Sequence, residues 1–145
     1  MRCRSIKSGD ESLISEWNRQ LQIEEGASVM DLEEIEVRLR RWLSVHYDAV
    51  VFELRSEPIG YALYRPTDAD MNNPDGIYLR QFFIARGHRR LGHGSTAIRL
   101  FLDEVVQGRR LVLEALNSNP AGQAFWRSLG MREYSVTFEL DPDAA

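Results

Sequence analysis

The sequence has only one cysteine, Cys3, so it cannot close a disulfide within the chain. A lone thiol fits a reducing compartment. Cys3 alternates with neighbouring strand positions and reads as a small core residue. No apolar run approaches the roughly 20 residues that a membrane-spanning helix needs. The opening residues, MRCRSIKSGDES, hold no apolar stretch of the kind found in a secretory signal. The expectation is a cytoplasmic protein without a membrane partner. Repeats, low-complexity tracts and linkers are also missing, so residues 1–145 read as one domain. Nor is there an excess of positive charge. The formal net charge is −4, with 15 acids against 9 Lys/Arg in residues 1–78 and 7 acids against 9 Arg in residues 79–145. That balance argues against a polyanion-binding surface, and so against a nucleic-acid partner. The acidic first half favours a cationic second ligand by long-range attraction.

What is present is a regular alternation of elements. Residues 2–6 read as a strand. Ser8 and Glu11 have the spacing of a capping box, and Leu13, Ile14, Trp17 and Leu21 recur at helical spacing up to about Glu24. Gly26 stops that helix. Ser28 and Asp31 repeat the capping pattern before Leu32, Ile35, Leu39, Trp42 and Leu43, an amphipathic stripe ending near Val45. Trp17 and Trp42 read as core residues. Ala49–Arg55 and Ile59–Arg65 form a hairpin around Ser56-Glu57-Pro58. Pro66–Gly76 is dense in turn formers and must be a loop. Its Asp68, Asp70, Asn72 and Asp75 imitate a calcium loop, but no bidentate glutamate follows and strands flank it, so no metal site is expected.

Ile77–Ile84 is a fourth strand whose alternation breaks at Gln81-Phe82-Phe83, the mark of a bulge. A basic loop with Arg86, Arg89 and Arg90 leads to Gly92 and Gly94, where a third helix opens. Ala97, Ile98, Phe101 and Val105 form its buried stripe, with Gly108 as its cap. Leu111–Ala115 is a short apolar strand that includes Glu114. Asn119-Pro120 pairs an N-cap with a proline at the first helical position, and this last helix runs to Leu129. Arg132–Leu140 alternates as a final strand. The order β-α-α-β-β-β-α-β-α-β gives a mixed α/β (α+β) fold around a mixed central sheet.

The glycine stretch, Gln81 to Ala97, carries the chemistry. Glycines at a helix N-terminus expose backbone N–H groups that have no partner inside the helix. The helix dipole adds positive potential there, so the expected ligand is a phosphate. A P-loop is excluded because no lysine follows the glycines. The pattern Gly92-x-Gly94-x-x-Ala97, with Glu114 about 20 residues on, also satisfies a Rossmann fingerprint. Against that, seven residues (85–91) separate the strand from Gly92, and only 31 follow Glu114. That is too few for the rest of a doubly wound sheet.

Residues 77–131 resemble the GCN5-related N-acetyltransferase (GNAT) superfamily. Arg89-Arg90-Leu91-Gly92-His93-Gly94 matches its acetyl-CoA loop, [QR]-x-x-G-x-[GA]. Asn119, an aromatic seven residues later at Trp126, and Leu129-Gly130-Met131 match its second motif. The resemblance implies acetyl-CoA as cosubstrate. Pantetheine would pair with the backbone of Phe82 and Ile84, on either side of Phe83. Its pyrophosphate would rest on the N–H groups of Arg90, Leu91, Gly92, His93, Gly94 and Ser95. Arg89 and Arg90 would add charge-assisted contacts to phosphate. His93 would contribute its backbone rather than its ring. Asn119 would cap its helix and touch CoA.

The resemblance also implies an amine acceptor, a small molecule or a peptide, acetylated by direct transfer in a ternary complex. Glu114 is the candidate base. It ends an apolar strand and sits five residues before Asn119, similar to the base of the ribosomal-protein acetyltransferase branch. Tyr78 stands where histone-acetylating members carry a base glutamate, so it is assigned to the acceptor pocket or that base position. The family's thiolate-protonating tyrosine falls at Trp126, whose indole cannot fill the role. Water or Tyr134 would then substitute, and Trp126 would pack on the pantetheine arm. Glu24 and Glu25 lie where the family builds acceptor specificity and are assigned to the amine. A homodimer is compatible with the family. The alternative reading is an acyl-CoA-binding module with weak or lost catalysis.

Overall fold

A computed structural model describes residues 1–67 and 75–143. The elements are β1 (Arg2–Ser5), α1 (Asp10–Glu25), α2 (Leu32–Val45), β2 (Asp48–Leu54), β3 (Glu57–Pro66), β4 (Ile77–Ile84), α3 (His93–Phe101), β5 (Leu111–Leu113) and α4 (Pro120–Ser128). The strands form one sheet in the order β1-β2-β3-β4-β5. Its first three pairings are antiparallel and β4–β5 is parallel, so the sheet is mixed. The turn between β2 and β3 is Arg55-Ser56, with both residues at positive φ (54° and 67°). This is a two-residue hairpin turn that matches the strand twist, one residue earlier than Ser56-Glu57-Pro58.

β2 and β3 have no polar face because both their faces are covered. Alternate residues point to opposite sides of a strand. Val51, Tyr61, Leu63 and Phe83 pack with Ile14, Trp17 and Leu39 from α1 and α2. Val50, Phe52, Ala62 and Ile84 pack with Ala97, Ile98 and Phe101 of α3, and Phe125, Trp126 and Leu129 join from the α4 segment. Each large side chain buried this way contributes roughly 1.5–3 kcal/mol.

Several helix ends depart from the sequence reading. The Ser8–Glu11 box does not form; Gly9, at φ 96°, is the N-cap of α1. The Asp10 carboxylate instead accepts from Lys7 N–H at 2.8 Å and is gripped by both Nη atoms of Arg4 at 2.8 and 3.1 Å. Asp31 precedes α2 without a side-chain cap, and Ser28 takes no part. The loop there is held by Gln22 Oε1, which accepts from Met30 N–H at 2.9 Å. Gly26 closes α1 at φ 72°, as expected. α3 continues into a π-helical turn, Leu102–Val106, and Gln107, not Gly108, is the cap.

The largest correction is at the C-terminus. Arg132–Leu140, expected as a strand, pairs with no strand among the described residues, and Tyr134, Val136, Phe138 and Leu140 are exposed. Alternation selects a face, but a strand also needs a neighbour with free N–H and C=O groups over the same length. β5 is only three residues long and offers too little edge.

Candidate active site

The site begins where two parallel strands part. β4 and β5 pair at Ile77–Leu111, Tyr78–Val112 and Leu79–Leu113, and there β5 ends. β4 runs on to Ile84, so its edge from Arg80 onward faces no strand among the described residues. Ala85 N–H donates to Ile59 O at 2.7 Å, across to β3. Backbone groups alternate sides along a strand, so those of Phe82 and Ile84 face the open side. The Ile84 carbonyl is already taken by Arg89 Nε at 2.7 Å. The groups left for a ligand are Ile84 N–H and both groups of Phe82. Phe83 points into the α1–α2 core.

The bulge lies one residue before the expected triplet. Leu63 pairs with Gln81 and Tyr64 with Leu79, which leaves Arg80 as the extra residue. It places two successive side chains on the α1–α2 side. Arg80 Nη1 donates to the Tyr47 hydroxyl at 3.1 Å, and Gln81 Oε1 accepts from the Tyr61 hydroxyl at 2.8 Å. Tyr78 lies beside them, with the Arg65 guanidinium 4.8 Å from its ring centroid. This side of the sheet is lined by arginine, although the first half of the chain is acidic.

The glycine loop has the form of an anion cradle. Gly92, at φ 78°, is the N-cap of α3, and no side chain caps the helix. The first intrahelical bond runs from Thr96 N–H to Gly92 O at 3.1 Å, so the N–H groups of His93, Gly94 and Ser95 have no intrahelical partner. A Cβ at Gly92 would meet nothing within 4 Å, which leaves the backbone open to a ligand. Arg90 is exposed at φ 63°, and Leu91 is exposed beside it. Arg89 is engaged: one Nη donates to Glu24 at 2.8 Å, and Arg86 meets the other oxygen of Glu24 at 3.0 Å. Burial raises the Glu24 carboxyl, but the hydrogen bonds from Arg89 and Arg86 outweigh it and hold the group below its usual range. Glu24 therefore ties the end of α1 to the glycine loop.

Glu25 points elsewhere. It is half-buried, and burial together with neighbouring Glu24 pushes its carboxyl up. Glu114 lies just past β5, and its Oε1 accepts from the Tyr78 hydroxyl at 2.8 Å. These two candidates, 36 residues apart in sequence, are thus one hydrogen-bonded pair. Burial and Glu114 push the Tyr78 phenol up to about 12, so it stays protonated and donating. Asn119 caps α4, its Oδ1 accepting from Gly122 N–H at 3.1 Å. Trp126 is packed edge-on to Phe82 at 5.6 Å and to Phe125 at 4.9 Å. Tyr134 lies against Arg110, 4.4 Å from guanidinium carbon to ring centroid.

The sequence reading missed Arg38, Arg80 and Gln81. Arg38 carried a signal: it lies three residues after Ile35 and four before Trp42, on the apolar stripe of α2. A charge there is either paired or functional. Arg80 and Gln81 gave none, because only the bulge turns both to one side. Asp68, Asp70 and Asn72 lie outside the described residues. Among the described residues no His, Cys, Asp or Glu cluster is arranged to hold a metal, and no helix is long and apolar enough to cross a membrane.

Solved structures share this fold. A possible acetyltransferase from Clostridium difficile superposes with a TM-score of 0.74 at 18% identity, over 97% of this chain and 95% of that one. An acetyltransferase from Thermus thermophilus gives 0.73 at 22%, covering 90% and 86%. A predicted acetyltransferase with acetyl-CoA from Clostridium acetobutylicum gives 0.71 at 16%, covering 99% and 97%. A search of curated proteins returns no match. Residues 11–131 match the sequence model of the Acetyltransferase (GNAT) family. With that match over most of its length, and with the parted β4–β5 pair and open glycine loop of the fold, the chain belongs to the GNAT acetyltransferase family.

Proposed function

We propose that this protein transfers the acetyl group of acetyl-CoA directly to the primary amine of a small acceptor, both substrates being bound together. The observation that carries the reading is the free edge of β4 ending at an uncapped α3 N-terminus. Phe82 and the Ile84 N–H would hold the pantetheine amides, and the N–H groups from Arg90 to Ser95 would hold the pyrophosphate. The residues fit that ligand: the Gly92 cradle is open, its donors are unspent, and Arg90 is at hand. When bound, acetyl-CoA supplies the activated acyl carbon.

The chain's own part is to orient and to move protons. Glu114 accepts the proton that the acceptor nitrogen must lose as it attacks the thioester carbon. Tyr78 is a positioning residue: its hydroxyl fixes which way the Glu114 carboxylate faces. The departing thiolate takes its proton from water, since Trp126 cannot give one and Tyr134 is held on Arg110 at the start of β5.

The test is acetyl-CoA-dependent thiol release over a panel of amines. Glu114→Gln is expected to lower kcat at least 100-fold, within the usual range for a general base, while acetyl-CoA affinity changes less than two-fold. Tyr78→Phe is expected to broaden or shift the pH profile of kcat with a smaller loss. Unchanged turnover in Glu114→Gln removes that residue from the mechanism. The packing of Trp126 into the Phe82–Phe125 cluster favours a second reading, an acyl-CoA-binding module. Tight CoA binding without turnover of any amine would decide for it.

A further inference from the structure

A cavity of about 220 Å³ opens between α1 and α2 and reaches Gln81, directly after the β4 bulge. Its lining includes Asn18, Gln22, Glu25 and Arg38. Arg38 is incompletely paired. One Nη donates to Asn18 Oδ1 at 3.0 Å, but its buried Nε finds no acceptor. No carboxylate pairs with Arg38 or Arg80 among the described residues. Their guanidinium carbons lie 4.4 and 4.3 Å from the ring centroid of the same indole, Trp42. Two cations on one ring repel, and a buried donor left unmade is costly. The Glu25 carboxylate has no hydrogen-bond or ion-pair partner among the described residues. Glu25 and Arg38 come from α1 and α2 respectively, and both line the cavity.

One cavity that presents an unspent cation and an unspent anion matches a molecule carrying both charges. We propose that the acceptor is an amino-acid-type zwitterion whose carboxylate is received by Arg38, with Glu25 attracting its ammonium as it enters and Glu114 remaining the base for the attacking nitrogen. This rests on the acetyl-transfer reading above and narrows it. Polyamines and aminoglycosides lack the carboxylate, and a protein N-terminus carries none beside its amine. The planar guanidinium, 4.4 Å from the Trp42 ring centroid, suits a carboxylate better than a point charge does. Arg80, which shares that indole, adds attraction on the approach.

The experiment is a calorimetric titration of CoA-saturated protein with the twenty L-amino acids and with their C-terminal amides. At least one free acid is expected to bind, its amide at least ten-fold more weakly. Arg38→Met is expected to lose that preference, with Arg38→Lys between. The proposal is overturned if acid and amide bind alike, if Arg38→Met keeps its affinity for the acid, or if no acid binds. Should Arg38→Met fail to fold, the acid-against-amide comparison on the unaltered protein decides alone. Thiol release separates the two readings. Acids that bind with the Arg38-dependent preference but without turnover refute acetyl transfer and leave only a zwitterion-binding cavity; amines without a carboxylate that turn over, with no acid bound, refute the zwitterion but not acetyl transfer.

Discussion

Gly60 is the position where the sheet tolerates least. It stands on β3 opposite Ile84. A Cβ built there falls 2.2 Å from the Phe83 carbonyl oxygen, 2.8 Å from Ile84 Cδ1 and 3.1 Å from Ile84 Cα. The Ile84 methyl can rotate away, but the Phe83 carbonyl is backbone fixed in the ladder. Gly60→Ala must therefore push β3 and β4 apart by about an ångström to reach an ordinary contact. Overpacking of this kind costs about 1–3 kcal/mol, here toward the upper end because the obstacle is main chain. Loss of glycine freedom in the unfolded chain returns about 0.4–1 kcal/mol. The net is roughly 2 kcal/mol, which at about 2–4 °C per kcal/mol lowers Tm by roughly 4–8 °C. Urea titration of both proteins measures it as a fall in midpoint. The displaced residues, Phe83 and Ile84, sit on the open edge of β4, so acetyl-CoA affinity should fall as well. Gly94→Ala is the control. Its Cβ would meet only the Phe125 ring at 3.5 and 3.7 Å, an ordinary contact, in the first turn of α3. It should be neutral or stabilising by about 0.5 kcal/mol. A Gly60→Ala loss below about 0.5 kcal/mol, or a larger loss at Gly94, would refute the reasoning.

Two further tests address packing and charge. Phe101 is 0% exposed and Phe138 is 91% exposed. Phe101→Ala should cost about 3–5 kcal/mol by denaturation, whereas Phe138→Ser should stay within about 0.5 kcal/mol. A costly Phe138→Ser would mean that the C-terminal segment is covered in solution. Glu24→Gln should cost about 1 kcal/mol at neutral pH and loosen the glycine loop, measured as weaker acetyl-CoA binding. The folded-state pKa of Glu24 is depressed below its unfolded value near 4.5, so the stabilisation is full above that value and is lost as pH falls through the folded value. The stability gap between the two proteins should therefore be flat at neutral pH and close below about pH 4.5, and a constant gap throughout the acid range would rule out the ion pairs as its source.

The sequence made the elements legible because their periods are clean. Ile35, Leu39 and Trp42 could only be one face of a helix, and Asn119-Pro120 could only open one. It was misleading wherever a local pattern competed with a partner distant in the chain. The Ser8–Glu11 spacing is a good capping box, but Arg4 takes hold of Asp10 and sets the helix start. Tyr134, Val136 and Phe138 alternate as a strand should, but they pair with no strand among the described residues. The glycine loop was readable because the groups it leaves open are backbone N–H groups, which depend on glycine positions alone. The arginine cluster was not, since Arg38 and Arg80 meet over Trp42 only through tertiary structure.

The Arg80 bulge explains how one strand presents an open edge on one flank and a cavity wall on another. A regular β4 would alternate sides throughout. Leu79 and Phe82 pack toward α3. With no extra residue between them, residues three apart would face opposite sides. The inserted residue restores Phe82 to the α3 side and turns its backbone groups to the open edge that the three-residue β5 leaves uncovered. The same insertion places Arg80 and Gln81 together on the α1–α2 side, beside Tyr78 and the cavity that holds Arg38. The open edge and the cavity wall are therefore set by one backbone irregularity, with Glu114 reaching Tyr78 from the end of β5. Deleting Arg80 would regularise the strand only by reversing either Leu79 or Phe82, and either reversal exposes an apolar side chain and moves the pairing groups of the open edge. Bulges of this kind persist in strands because they re-aim side chains at a site, and their cost is borne by the packing on both faces.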